Sequence, residues 1–284
     1  PGTVNFLRCS TLPKGLQSGW CQLAGNHQSR SIVEPDPSVT GPSGEAALKL
    51  DSSPDESVGI ALEPFTASSP EREVTVSFSY RGRGEFSASV LSAGNLIRPR
   101  KLAPEEKRWK REVITLRLPP KRLASVLQIV GRGILYVDAF RVAEKGEADY
   151  KPSAPHEISF FLPPSEASVS RIQFEDEPPV LNYYLTGDAR DVTVRGTVTD
   201  LYGTTVALPE STGKTGSFSY LRTGKPYGQF RVEAQAFRNG KPVSVVNEMV
   251  VTRLPRPVCW GKDAPDSPFG IHTNQLESSI RAMK

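Results

Sequence analysis

Few residues of this sequence stand at spacings that could do covalent chemistry. His27, His156 and His272 are far apart, and no Cys/His grouping has the spacing of zinc ligands. Glu175-Asp-Glu177 is an acidic run, but adjacent residues on a strand point to opposite faces, so it does not set two carboxyls across one bond. Gly213-Lys-Thr215 ends like a phosphate-binding loop, yet Leu208 stands where the first glycine is required. No Ser/His/Asp or Cys/His arrangement follows from spacing. What remains is recognition chemistry. Trp20, Trp109 and Tyr136 offer flat aromatic faces on which a ligand can stack, and Ser77, Ser79 and Arg81 offer polar groups along one strand. A Trp that opens a strand in a sandwich also serves as a core anchor, and both roles are open for the three rings.

Strands must position these groups. Val74, Val76, Phe78 and Tyr80 alternate with Thr75, Ser77, Ser79 and Arg81, the period of a half-buried antiparallel strand. Gly82-Arg-Gly84 predicts a turn into a second strand over 85–91, which puts Ser87 and Ser89 on the same polar face. Gly131-Arg-Gly133 predicts another turn, between strands over 125–130 and 134–142. Many short strands at this spacing predict a sandwich or jelly roll over residues 1–143. Residues 144–157 carry charge and proline without periodicity and read as a linker. Over 158–253 strands return, with Arg238-Asn-Gly-Lys241 as a hairpin signal and Asp200-Leu-Tyr-Gly203 as a similar turn, so an immunoglobulin-like sandwich is expected.

Residues 254–284 read differently. Phe269-Gly-Ile-His272 is a short apolar run, and Asn274 with Glu277 has capping-box spacing ahead of Leu276, Ile280 and Met283 on one helical face. One strand and part of a helix cannot bury their own apolar faces. A parallel barrel needs eight such units and about 250 residues. The expectation is the first strand and part of the first helix of a truncated (β/α)8 barrel, and a chain that is the front of something larger.

Composition bounds the partners. The net charge of +4 over 284 residues is spread out, and the basic run Arg98-Pro-Arg-Lys101 with Lys107-Arg-Trp-Lys-Arg111 is diluted by Glu105, Glu106 and Glu112, so no nucleic acid is expected. No stretch approaches the roughly 18 apolar residues of a membrane span. Cys9 and Cys21 bracket a Gly-containing turn that a disulfide would close, with Cys259 left over; three buried thiols are the other reading.

The residues also carry a resemblance. Ser18-Gly-Trp20, Pro42-Ser-Gly-Glu-Ala-Ala-Leu-Lys-Leu50, Trp109 and Ile134-Leu-Tyr-Val-Asp-Ala-Phe-Arg-Val142 resemble the jelly-roll carbohydrate-binding modules that precede bacterial glycoside hydrolase barrels. Residues 198–203 are similar to a strand of the spacer domains found there, and residues 253–274 resemble the start of the catalytic barrel of clan A glycoside hydrolases. The resemblance implies an all-β chain of two β-sandwich domains followed by a barrel start, acting as the non-catalytic region of a secreted or cell-surface bacterial enzyme that degrades polysaccharide. The chain alone is then not an enzyme, because the acidic pair of such enzymes lies on later barrel strands. Implied partners are a polysaccharide or oligosaccharide, held by Trp20, Trp109, Tyr136, Ser77, Ser79 and Arg81, and the barrel of the same polypeptide. His272 would face substrate at the barrel's C-terminal end. Asp138 matches a last-strand aspartate that helps hold a structural Ca2+ in such modules, and no other cofactor is implied. The module's usual Asn-Gly opening is replaced by Phe6-Leu-Arg-Cys-Ser, which removes the acidic partner of that ion. Two rival readings are a cell-surface adhesion or protein-interaction protein, and a binder of anionic polysaccharide through Arg81, Arg83, Arg98, Arg100 and Lys101.

Overall fold

The structure is a computed structural model that describes residues 5–17, 19–23, 31–65, 73–92, 95–117, 124–144, 149–164 and 171–256. The period-two segments form strands throughout. In the first sandwich these are β1 (Cys21–Leu23), β2 (Ile32–Thr40), β3 (Ala46–Asp51), β4 (Val58–Ala61), β5 (Glu73–Ser92), β6 (Asn95–Leu102), β7 (Lys110–Arg117) and β8 (Ser125–Glu144).

The two expected glycine turns are not turns. β5 and β8 are each continuous over 20 residues and pair with one another from Val74 opposite Glu144 to Ser92 opposite Ser125. On one side of the glycines this pair is flanked by β7 and by β3 and β2; on the other it is flanked by β6 and by β4 and β1. Two five-stranded layers therefore share β5 and β8 and close over one core. The bend lies where Gly84 faces Gly133, at φ +111° and +118°. A Cβ there would lie 2.1 Å from the Arg132 carbonyl oxygen or 2.4 Å from that of Arg83. Only glycine lets the strands approach so closely while the ladder continues.

Between the layers lie Leu48, Ile60, Val76, Phe78, Ile129 and Leu135, all at most 1% exposed. Burying a side chain such as Phe78 contributes about 1.5–3 kcal/mol. A bulge in β8 decides what faces this core. The register shifts between Ser77 and Ser79, Ala139 takes φ +55°, and the alternation slips by one. Asp138 is left on the outer face. Phe140 is turned inward, 5.8 Å from Phe78 and 5.1 Å from Trp20 between ring centres.

The second sandwich contains β9 (Ile158–Phe161), β10 (Ile172–Phe174), β11 (Val180–Leu185), β12 (Val192–Asp200), β13 (Thr205–Ala207), β14 (Ser211–Thr212), β15 (Thr215–Ser219), β16 (Gly228–Arg238), β17 (Lys241–Pro242) and β18 (Asn247–Leu254). One sheet runs β10-β18-β16-β12-β13, with β14 on β12 and β17 on β16; the other runs β15-β11-β9. Phe160, Tyr183, Phe218 and Phe230 fill the space between them. The expected hairpin is present, with Arg238 opposite Lys241 and Asn239 at φ +51°. The sequence reading had no signal for β10, β14, β15 and β17, which at two to five residues are too short to show a period.

The expected linker is not a loose one. β8 runs to Glu144, and His156 and Glu157 are only 3% and 1% exposed. The N-terminal segment runs beside the end of β8, where Phe6 N–H donates to Val142 O at 2.8 Å and Phe140 N–H donates to Ser10 O at 2.9 Å. The Glu157 carboxylate accepts from Ser10 N–H at 2.8 Å, Ser10 O–H at 2.6 Å, Thr11 N–H at 3.3 Å and Ser153 N–H at 3.2 Å. Gln17 extends this seam, accepting from Phe160 N–H at 2.7 Å and donating to Phe160 O at 3.0 Å. Both sandwiches thus belong to one compact unit reaching to Leu254. The barrel start, with His272, Asn274 and Glu277, lies outside the described residues, as does Cys259. Cys9 and Cys21 are free thiols, Cys9 buried and Cys21 exposed, so the expected pair is not bonded here. Cys9 Sγ lies instead 3.3 Å from Ser159 Oγ.

Candidate functional site

The ladder of the first layer brings one row of side chains together. Glu34 pairs with Lys49, Lys49 with Tyr136 and Tyr136 with Arg81. Tyr80 pairs with Lys110, which sets Trp109 opposite Arg81 just ahead of β7. Leu48, Leu50, Tyr80, Leu135 and Val137 point into the core, so the row lies on the outer face. The Arg81 guanidinium lies 5.2 Å from the centre of the Trp109 ring and 5.5 Å from that of Tyr136. Trp109, Arg81 and Tyr136 are half-buried, and neither ring belongs to the core cluster.

Polar groups continue the row. Tyr136 O–H donates to Asp36 Oδ2 at 3.3 Å, and Lys49 pairs with Asp51 at 2.7 Å. Burial, with the Asp36 charge second, pushes the Tyr136 phenol above its ordinary range, so it stays a neutral donor at physiological pH. The Ser38 hydroxyl, bonded to Asp36 Oδ1 at 2.6 Å, holds the Asp36 carboxyl below the usual carboxylate range. Two flat rings flanking a planar cation, beside a donor and a carboxylate, can stack on, donate to and accept from a ring of hydroxyl groups. At the β2 edge the row runs into a cleft of about 430 Å³ lined by Glu34, Pro35, Lys14, Cys21 and Phe160.

Other expected site residues are placed elsewhere. Ser77 and Ser79 share the outer face but are buried at 0% and 5% exposure, which corrects the expectation of open hydroxyls. Ser77 Oγ accepts from Arg111 at 2.8 Å, and that end of the face also carries Arg141, whose guanidinium donates to Asp149 O. Ser87 and Ser89 lie beyond the glycine bend, on the other layer. Trp20 is 3% exposed, edge-on to Phe140 within the core, so it is an anchor and offers no platform. The sequence reading missed Lys49, Asp36 and Glu34. Their period-two placement, Glu34 with Asp36 and Lys49 with Asp51, was the available signal.

Asp138 is 1% exposed. Its Oδ2 accepts from Ser43 N–H at 2.8 Å, its Oδ1 has no hydrogen-bond partner, and Gly41 leaves the room it occupies. Calcium takes six to eight oxygens, with several carboxylates among them. Among the described residues no group of three or more His, Cys, Asp or Glu side chains gathers around Asp138. Burial pushes the Asp138 carboxyl above its ordinary range. Its stabilising contribution is therefore complete below the ordinary carboxylate range and is lost as pH rises through the raised value. Asp138→Asn removes that loss. The expected result in thermal melts is a gain of about 2 °C or more at pH 8 and no change at pH 4. A fall at pH 8, reproduced in wild type by a chelator, would restore a bound cation.

No known protein family matches the sequence, and no curated protein matches it. Solved structures show partial likeness. The enzymatically active domain of tailspike protein 4 from bacteriophage CBA120 aligns with 50% of this chain and 22% of its own length, at 10% identity and a TM-score of 0.42. TmCBM61, solved in complex with beta-1,4-galactotriose, aligns with 50% of this chain and 99% of its own length, at 19% identity and a TM-score of 0.38. A beta-1,2-glucanase from Parabacteroides distasonis aligns with 90% of this chain and 40% of its own length, at 12% identity and a TM-score of 0.36. This chain thus spans 22% of the tailspike domain and 40% of the glucanase. At such identities these likenesses assign no activity to it.

Proposed function

We propose that the first sandwich is a carbohydrate-binding module that holds a saccharide on the row from Trp109 through Arg81 and Tyr136 to Lys49 and Glu34. The observation that carries this reading is the placement of two half-exposed rings, Trp109 and Tyr136, outside the core, on either side of Arg81 and in line with the Asp36 and Glu34 carboxylates. Rings spent on packing would lie inside the core cluster, as Trp20 does. The second sandwich is read as an immunoglobulin-like brace, joined to the module through Glu157 and Gln17. The pair serves as the non-catalytic part of an exported bacterial glycoside hydrolase, with carbohydrate as ligand.

The test is affinity electrophoresis and calorimetry against a panel of plant and bacterial oligosaccharides. Trp109→Ala and Tyr136→Ala are each expected to weaken binding about tenfold or more while the melting temperature moves by less than about 3 °C. A double variant that binds as wild type does would overturn the reading. One observation favours a second reading, protein interaction: Leu201 and Tyr202 at the β12–β13 turn are 63% and 75% exposed, and Tyr227 is 42% exposed. If no saccharide binds, a partner protein at that tip becomes the leading account.

A further inference from the structure

We propose that the outer face selects an acidic saccharide, with Arg81 pairing to the carboxylate of a uronic acid. This rests on the carbohydrate reading above and narrows it. Other cations of the face already have partners: Lys49 pairs with Asp51 at 2.7 Å and Arg83 with Glu106 at 3.3 Å, while Arg111 donates to Ser77 Oγ at 2.8 Å and Arg141 to Asp149 O. Among the described residues Arg81 has no carboxylate within ion-pair distance, and its Nε is buried without a hydrogen-bond partner. Its near neighbours are the rings of Trp109 and Tyr136.

Those rings hold the guanidinium in place and strip part of its water without supplying an acceptor. A carboxylate matches the fork of N–H groups with two parallel bonds, and a sugar ring carrying it can lie against the aromatic faces at the same time. The opposite end of the row sets a limit. Glu34 and Asp36 stand there, so a ligand charged at every residue is repelled, and a neutral chain with an isolated uronic acid fits.

The experiment is calorimetry on the full chain with three probes: a xylo-oligosaccharide bearing one glucuronic acid, the same oligosaccharide after carboxyl reduction, and a sulfated neutral oligosaccharide. Wild type is expected to bind the uronic form about tenfold or more tighter than the reduced form, with that preference falling between 0.05 and 0.5 M salt at roughly the rate of a single exposed ion pair. Arg81→Gln should lose the preference, with affinity for the uronic form falling about tenfold more than affinity for the reduced form, while Arg81→Lys, which keeps the charge without the fork, falls between wild type and Arg81→Gln. Melting curves establish that the variants are folded. Equal binding of the uronic and reduced forms would overturn the inference and leave the carbohydrate reading standing. Preference for the sulfated probe would overturn the carboxylate assignment. Binding of none of the three, together with a blank wider panel, would overturn both.

Discussion

Replacing Glu157 by alanine is expected to cost about 3–5 kcal/mol and to lower the melting temperature by about 10 °C. The carboxylate is 1% exposed and collects the amides of Ser10, Thr11 and Ser153 together with the Ser10 hydroxyl, and the three amides would lose this acceptor. They belong to the N-terminal segment and to residues 149–157, so the loss falls on the seam between the sandwiches and not on either core. Glu157→Gln keeps the shape but turns an amide N–H₂ toward donors, and an intermediate loss is expected. The pH dependence has a definite sign. Burial outweighs the donated hydrogen bonds and pushes the Glu157 carboxyl above its ordinary range. Its contribution is complete below the ordinary carboxylate range and declines as pH rises through the raised value. The gap between wild type and Glu157→Gln should be wider at pH 4 than at pH 8. Urea titrations at the two pH values measure it, and a gap that widens toward pH 8 would contradict the account.

The second large effect is expected at the bend. Gly84→Ala places a methyl group 2.1 Å from the Arg132 carbonyl oxygen at a φ of +111°. The obstacle is the backbone of the paired strand, which cannot rotate away as a side chain can. Strain at such a φ costs about 1–3 kcal/mol, and the backbone clash adds to it, so a total loss above about 4 kcal/mol is expected. The variant should melt more than about 10 °C below wild type or fail to accumulate as folded protein. Arg83→Ala is the control. Its side chain is 68% exposed and pairs with Glu106 at the rim, so it should change stability by less than about 0.5 kcal/mol. A Gly84→Ala protein melting within about 2 °C of wild type would mean that the strands do not depend on this close approach.

The amino-acid sequence by itself determined the all-β class, most strand positions, the Asn239-Gly240 hairpin and the outward parity of Arg81. Each is a local property: a period of two, a turn that tolerates positive φ, or alternation along one strand. What only the tertiary structure decided depends on partners distant in the chain. Gly82-Arg-Gly84 carries the signal of a turn, and it became a bend because β8 offers a glycine opposite Gly84 that continues the ladder. Ser77 and Ser79 have outward parity, yet they are buried, Ser77 beneath the Arg111 guanidinium that donates to it. Trp20 and Trp109 look alike in sequence, and one packs on Phe140 while the other flanks Arg81. Residues 144–157 have the composition of a loose linker, and Glu157 is fixed by amides some 147 positions away. Burial and charge pairing are properties of a residue's surroundings, and for these groups the surroundings are assembled only when β5 and β8 bend and the N-terminal segment returns to the seam.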